Sequence, residues 1–249
     1  MTQIVVAGDP GTGDAHEAAT VDGISARAEG SPYDALLLLG DLVYEDGEPD
    51  RLDAALLAPF APVIQTGLTV IPVLGNHDYR SGRQMEILAR LGRSSSWYAQ
   101  QVGDVRVVVL DTEQVDNPAQ TRWLETTLAD KQGAEVWTVV AMHRPPYSAG
   151  KHGSSLDVRR AWSPLFERYD VPLVLAGHDH DYQRSIPQAG VTYLVSGAAA
   201  KLRPTGSEPF TAVSTSTRHF VELVAEVDRL DVRAIDQDGK VLDAVTLSR

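Results

Sequence analysis

Aspartate, asparagine and histidine recur in this chain at the ends of short apolar runs. "IVVAGD" ends at Asp9 and "LLLLGD" at Asp41; "VIPVLGNHD" closes with Asn76, His77 and Asp78. "VWTVVAMH" ends at His143, and "PLVLAGHDH" at His180 with His178 two residues earlier. Asp, Asn and His are borderline-to-hard donors suited to Zn²⁺, Mn²⁺ or iron. Four of the seven histidines (His77, His143, His178 and His180) fall in these segments. A single histidine at a strand end is an ordinary structural residue, but a set of them among aspartates points to metal. Asp9, Asp41, Asn76, His143, His178 and His180 exceed what one ion takes, which implies two ions. Tyr44, three residues after Asp41, either packs at the mouth of its strand or belongs to that site.

The runs that carry these residues are nearly continuous in Val, Ile and Leu, the pattern of strands buried on both faces. Helical patterns lie between them: Asp14 to Arg27, Pro49 to Val63 (ended or kinked by Pro59 and Pro62), Ser81 to Leu91, Pro118 to Lys131, and Asp157 to Tyr169, interrupted by Pro164. Asn117 is the N-cap of the fourth, with Pro118 at the first helical position. Strands alternating with helices indicate an α/β domain with a largely parallel sheet. Such sheets place ligands outside the carboxyl ends of their strands, where the donors listed above would gather. The spacings from position 9 to 41, 76, 143 and 178 fit successive strand–helix units, the third a double step. No shared consensus accompanies that period, so a solenoid is rejected. In the last third, "VTYLVSG", "HFVELVAEV", "RLDVRAID" and "VLDAVTL" read as antiparallel strands forming or completing a second sheet. Thr205 to Thr217, rich in Ser, Thr, Pro and Gly, reads as a mobile surface loop. With no clear linker, residues 1–249 read as a single catalytic domain.

The composition narrows the chemistry further. At 249 residues and 27.0 kDa, the chain is long enough to bury a sizeable core. Its formal charge of −12 argues against nucleic acid or a membrane surface as the main partner. A small anionic substrate stays open, because bound metal ions reverse the field inside a cleft. There are no cysteines, which removes disulfides, thiolate nucleophiles and cysteine-ligated zinc. No stretch approaches transmembrane length and no export signal precedes "MTQIVVAG". The expectation is a cytoplasmic protein by default, or a secreted one if a signal has been removed; oligomeric state is not legible.

Five blocks now carry a resemblance. "GDPG" (Gly8 to Gly11), "GDLVY" (Gly40 to Tyr44), "GNHD" (Gly75 to Asp78), "VAMH" (Val140 to His143) and "GHDH" (Gly177 to His180) follow in order, each after an expected strand. Together the chain resembles the purple acid phosphatases, a branch of the calcineurin-like metallophosphoesterase superfamily. The resemblance implies a four-layer α/β/β/α sandwich, two mixed sheets flanked by helices. It implies Fe³⁺ held by Asp9, Asp41, Tyr44 and His180, with Asp41 bridging to a divalent Fe, Zn or Mn held by Asn76, His143 and His178. In the wider superfamily the first block carries a histidine two residues after its aspartate; here that position is Gly11, and Tyr44 supplies the missing donor. A phenol with a pKa near ~10 needs a strong Lewis acid to bind as phenolate at neutral pH, and Fe³⁺ meets that need better than Mg²⁺ or Ca²⁺.

The implied reaction is hydrolysis of a small phosphate ester, with metal-activated water attacking phosphorus in line and Asp41 indispensable. His77 would bind a phosphate oxygen or protonate the leaving group, and His152 in "AGKHGS" is a second candidate acid or a solvated loop residue. Arg144, Lys151 and Arg184 would meet phosphate oxygens or serve as surface charges and internal ion pairs. Asp78 and Asp179 would support the ligands, and His16 and His219 lie outside the blocks. The rival readings are a dinuclear phosphodiesterase acting on nucleotides or other diesters and a non-catalytic scaffold on the same fold. The ligand set is intact, which disfavours the scaffold. "GDPGTG" resembles a phosphate-binding turn but lacks the lysine of a P-loop. The chain also lacks the extra N-terminal domain of the plant-type enzymes, which suggests a minimal catalytic unit.

Overall fold

The leucine run that leads to Asp41 is buried at every position, and its two faces serve two different cores. Leu37 and Leu39 point between two sheets, whereas Leu36 and Leu38 point toward a helical layer. The computed structural model describes residues 1–131 and 136–249. Its strands are β1 (Thr2–Ala7), β2 (Ala35–Leu39), β3 (Thr69–Val73), β4 (Tyr98–Val102), β5 (Val105–Val109), β6 (Trp137–Ala141) and β7 (Leu173–Ala176). They continue with β8 (Tyr182–Ser185), β9 (Thr192–Ser196), β10 (Thr211–Thr215), β11 (His219–Ala225), β12 (Arg229–Asp236) and β13 (Val241–Ser248). The helices are α1 (Ala15–Ala28), α2 (Ala61–Ile64), α3 (Gln84–Arg90), α4 (Pro118–Ala129) and α5 (Leu156–Arg168).

One sheet has the order β13-β12-β11-β1-β2-β3 and the other β10-β8-β9-β7-β6-β5-β4. Both are mixed. β1, β2 and β3 run parallel, as do β5, β6, β7 and β9, while β11 to β13 complete the first sheet antiparallel. Val21 and Ile24 of α1 pack on the outer face of the first sheet; Leu124 of α4 and Trp162 and Phe166 of α5 cover the second. The four-layer α/β/β/α sandwich expected from the motif resemblance is the observed architecture.

Several local expectations change. The segment expected as one helix from Pro49 to Val63 is a 3₁₀ turn at Pro49–Arg51, a π-type turn at Asp53–Leu57 and the short α2. Pro59 and Pro62 lack the N–H donors that a continuous helix needs, which accounts for the break. By contrast, α5 runs through Pro164, held on the sheet by Val158, Trp162 and Phe166. Asp14 and Asn117 cap α1 and α4 through side-chain oxygens. The expected loop from Thr205 to Thr217 contains β10, an edge strand paired antiparallel with β8. Its Ser and Thr residues read as loop in sequence, but β-branched threonine suits a half-buried edge. The double step between Asn76 and His143 holds the β4–β5 hairpin together with α4.

Arg184 of β8 and Asp243 of β13 tie the two sheets together. The guanidinium Nε donates to Asp243 Oδ2 at 2.6 Å and Nη2 to Oδ1 at 3.1 Å; the Tyr182 hydroxyl adds a third bond at 2.8 Å. Burial alone would raise the Asp243 carboxyl, but these donors outweigh it and hold it below its ordinary value. Arg184→Met leaves that half-buried carboxylate without its charged partner and should lower stability by about 2 kcal/mol, read from the urea midpoint. An unchanged midpoint would mean that the tie carries no stability.

Candidate metal centre

The carboxyl ends of five parallel strands converge where the two sheets meet. β1, β2 and β3 deliver Asp9, Asp41 and Asn76 from the first sheet, and β6 and β7 deliver His143, His178 and His180 from the second. Asp9, Asp41 and His178 have φ of 55°, 52° and 72°, the left-handed region that side chains other than glycine rarely adopt. Such conformations concentrate where a side chain must be re-aimed for function. The neighbouring glycines allow the ends to close. A Cβ on Gly75 would lie 2.2 Å from Asp41 Oδ1, and one on Gly177 would lie 2.3 Å from Asp9 Oδ2. Asp78 locks two of these loops by accepting from the N–H groups of Leu42, Val43 and Gly75.

On one side, Asp9, Asp41 and His180 are buried and offer donor atoms that all lie within 4.8 Å of one another. The Tyr44 hydroxyl joins them, 3.2 Å from Asp9 Oδ1 and 3.2 Å from His180 Nε2. Tyr44 is therefore both packed and part of the cluster: its ring stacks edge-on with His77 at 4.5 Å. On the other side, His143 Nδ1 donates to the Leu39 carbonyl at 2.9 Å, which turns Nε2 into the site. That Nε2 lies 3.1 Å from Asn76 Oδ1, 3.2 Å from His178 Nδ1 and 3.4 Å from Asp41 Oδ1. Potential ligand atoms thus crowd one point, with Asp41 shared by both groups. The structure brings together all seven residues expected from sequence as metal ligands.

The electrostatics favour a cation. Burial, with Asp41 close by, pushes the Asp9 carboxyl well above its ordinary value. Asp41 goes the other way: burial would raise it, but His143 and His77 outweigh burial and lower it. Burial, reinforced by Asp9 and Asp41, raises the Tyr44 phenol. Burial also lowers His178, with His143 adding, and lowers His180 to about 4, with Arg203 adding. Neutral imidazoles and a carboxylate pair are the ligand forms that a metal binds, and a metal reverses the preference of Asp9 and Tyr44 for their protons. The donor set fits metal.

The calcineurin-like phosphoesterase family model matches residues 2–182. The chain belongs to that family. The resemblance read from the five motif blocks is borne out by the relatives as well. Purple acid phosphatase 21 of Arabidopsis thaliana is 30% identical over 207 residues, covering 74% of this chain and 45% of the relative. Tartrate-resistant acid phosphatase type 5 of Homo sapiens is 28% identical over 224 residues, 76% of this chain and 68% of the relative. A solved purple acid phosphatase from yellow lupin (Lupinus luteus) seeds matches with a TM-score of 0.83 at 20% identity, covering 100% of this chain and 54% of that one. At that identity the likeness is one of fold. The chain spans less than half the length of the first curated relatives it matches. Among the described residues, no helix is long and apolar enough to cross a membrane.

The remaining expected residues fall into two groups. His77 and His152 are at the cluster. His77 Nε2 is 3.9 Å from Asp41 Oδ2, and the His152 ring is 4.4 Å from that of His178. The His152 loop is held by Asp179, which accepts from the His152 N–H at 2.8 Å and from the Ser148 hydroxyl. The arginines differ. Arg144 follows His143, but Glu113 engages its guanidinium at 2.5 and 3.2 Å. Arg184 is not brought to the site, because its fork is taken by Asp243; the substrate contact expected of it gives way to the internal ion pair. His219 is fully buried and bonded to Ser196 and Thr217.

Sequence reading missed four residues at this mouth: Glu45, Arg80, Lys201 and Arg203. Lys201 Nζ sits 3.6 Å over the Tyr44 ring and 2.5 Å from Glu45 Oε1. Arg80 and Arg203 bond to His77 and His152. No motif block contains them, although the basic "KLR" at 201–203 is a visible signal.

Glu17 anchors the loop that follows Asp9. Its Oε2 accepts from the N–H groups of Thr12 and Gly13 and from the Thr12 hydroxyl, while Oε1 has no partner among the described residues. Burial raises this carboxyl from 4.5 to about 8. The folded chain therefore keeps a proton that the unfolded chain releases, so this group's contribution to stability falls as pH rises from about 4.5 to about 8. Glu17→Gln should flatten that slope and leave the variant more stable than wild type at the alkaline end. Parallel stability profiles for the two proteins would refute the assignment.

Proposed function

We propose that this chain is a dinuclear-metal phosphate-ester hydrolase of the purple acid phosphatase kind, acting on a small phosphorylated substrate, with residues 1–249 as one catalytic domain. The observation that carries the reading is the convergence of Asn76 Oδ1, His178 Nδ1 and Asp41 Oδ1 on His143 Nε2. Such a buried group of ligand atoms around a shared carboxylate is costly unless positive charge balances it. The Asp9, Asp41 and His180 group beside it supplies a second ion's donors. The acid phosphatases among the relatives support the same class.

Asp9, Asp41, Tyr44 and His180 would hold Fe³⁺, and Asp41, Asn76, His143 and His178 a divalent Fe, Zn or Mn ion. When bound, such a pair neutralises charge on phosphoryl oxygens and lowers the pKa of water. The protein's own groups do the rest. The Leu39 carbonyl fixes the His143 tautomer so that Nε2 faces the site. The His77 backbone N–H, 2.9 Å from Asp41 Oδ1, steadies the shared carboxylate. His77 Nδ1 donates to the Glu45 carbonyl at 2.6 Å and Nε2 accepts from Arg80 Nη2 at 3.0 Å, so Nε2 is the atom that would take up a proton, release Arg80 and meet the leaving-group oxygen. His152, beside His178, is the second candidate for that role. Burial lowers both imidazoles below their ordinary values.

Two experiments test this reading. Asp41→Ala should bind neither ion, by elemental analysis, and lose activity on p-nitrophenyl phosphate by on the order of a thousandfold or more. Wild-type turnover in that variant would sink the assignment. Metal-loaded wild type should also show a visible charge-transfer band that Tyr44→Phe lacks. Two colourless proteins containing only divalent metal would remove Fe³⁺ and leave the hydrolase reading intact.

A further inference from the structure

The chain carries a formal net charge of −12, yet the mouth of the metal centre is lined by cations. Two of them are neutralised. Lys201 is paired with Glu45 and Arg144 with Glu113. Arg203 and Arg80 are not balanced in that way. Arg203 Nη1 donates to His152 Nε2 at 2.6 Å, and among the described residues its guanidinium makes no ion pair. Arg80 Nη2 donates to His77 Nε2 at 3.0 Å and Nη1 to the Glu45 carbonyl at 3.1 Å. Its ion pair is with the exposed Asp46 at 3.9 Å, near the limit of contact. Each guanidinium is therefore aimed by an imidazole nitrogen rather than by a close carboxylate, with several N–H donors left over. An arginine so held is prepared to bind two oxygens of an oxyanion such as phosphate.

Their height above the centre says which anion. His77 stands between Arg80 and Asp41, and His152 between Arg203 and His178. Among the described residues neither guanidinium is ion-paired with Asp9 or Asp41, and each reaches the centre through the imidazole that it holds. The backbone N–H of Arg203 also bonds the His180 carbonyl at 2.8 Å, which fixes its strand-end loop to the site. Charge at that level belongs to the leaving group.

We propose that Arg80 and Arg203 form a subsite for a second anionic group, so that the preferred substrate is a phosphate ester whose leaving group carries another phosphate. This rests on the hydrolase reading above. The test compares a matched pair, fructose 6-phosphate and fructose 1,6-bisphosphate, on the metal-loaded full chain. Wild type should favour the bisphosphate in kcat/KM by about tenfold, the effect of one charge-assisted hydrogen bond. In R80Q and R203Q that ratio should fall toward one, with the loss on the bisphosphate carried by KM. R203K should keep part of the preference, a rescue that a merely structural role would not give. Equal kcat/KM for the two sugars in wild type, or an unchanged ratio in both variants, would overturn the subsite. Calorimetric binding of the same two sugars separates the readings. If the metal-loaded chain fails to hydrolyse p-nitrophenyl phosphate as well as both sugars, the hydrolase reading fails; bisphosphate binding about tenfold tighter in wild type but not in R203Q still sustains the subsite.

Discussion

Two buried carboxylates, Asp9 and Asp41, are held among neutral imidazoles with their oxygens facing inward, and the rest of the molecule is arranged to tolerate that. A buried, unbalanced cluster of acceptors is unstable by itself. Here it is held by backbone forced into the left-handed region at Asp9, Asp41 and His178, by glycines that let strand ends approach within van der Waals limits, and by Asp78 bonding three backbone N–H groups. The apolar strands beneath are buried on both faces and provide the rigid base that such strain requires.

The same constraint accounts for the order of the sequence blocks. Each donor needs a strand to carry it and a tight turn to aim it, so each appears as an apolar run, a glycine and a polar residue. That is why Asp9, Asp41, Asn76, His143, His178 and His180 stood out as donors from the chain alone, together with the α/β class, whereas the four-layer arrangement came from the motif resemblance. The division of the donors between two sheets was not legible. A parallel strand buried on both faces has the same pattern in either sheet, and only the long-range pairing of β1 with β11 or β7 with β9 decides.

Polar partnerships across long sequence separations were also hidden. Arg184 and Asp243 are 59 positions apart, Lys201 and Glu45 156, Arg203 and His152 51. No local pattern links such pairs, so Arg184 read as either a substrate contact or an internal or surface charge, and Arg203 did not register. Glu17 was hidden for a different reason. Its place in a helical pattern reads as a solvated face, whereas the loop at Thr12 and Gly13 folds over it. β10 was lost because a polar edge strand has the composition of a loop.

The meeting of both sheets at one point has a consequence for how the chain holds together. Asp9 and His178 are 169 positions apart, Tyr44 and His180 136, and His143 and Leu39 104, yet all converge within a few ångströms. An ion seated there closes very long loops, as a disulfide would in a chain that has no cysteine. It would act as a clasp between the two halves of the sandwich, so that the affinity of the site for its ions becomes a term in the folding equilibrium of the whole chain.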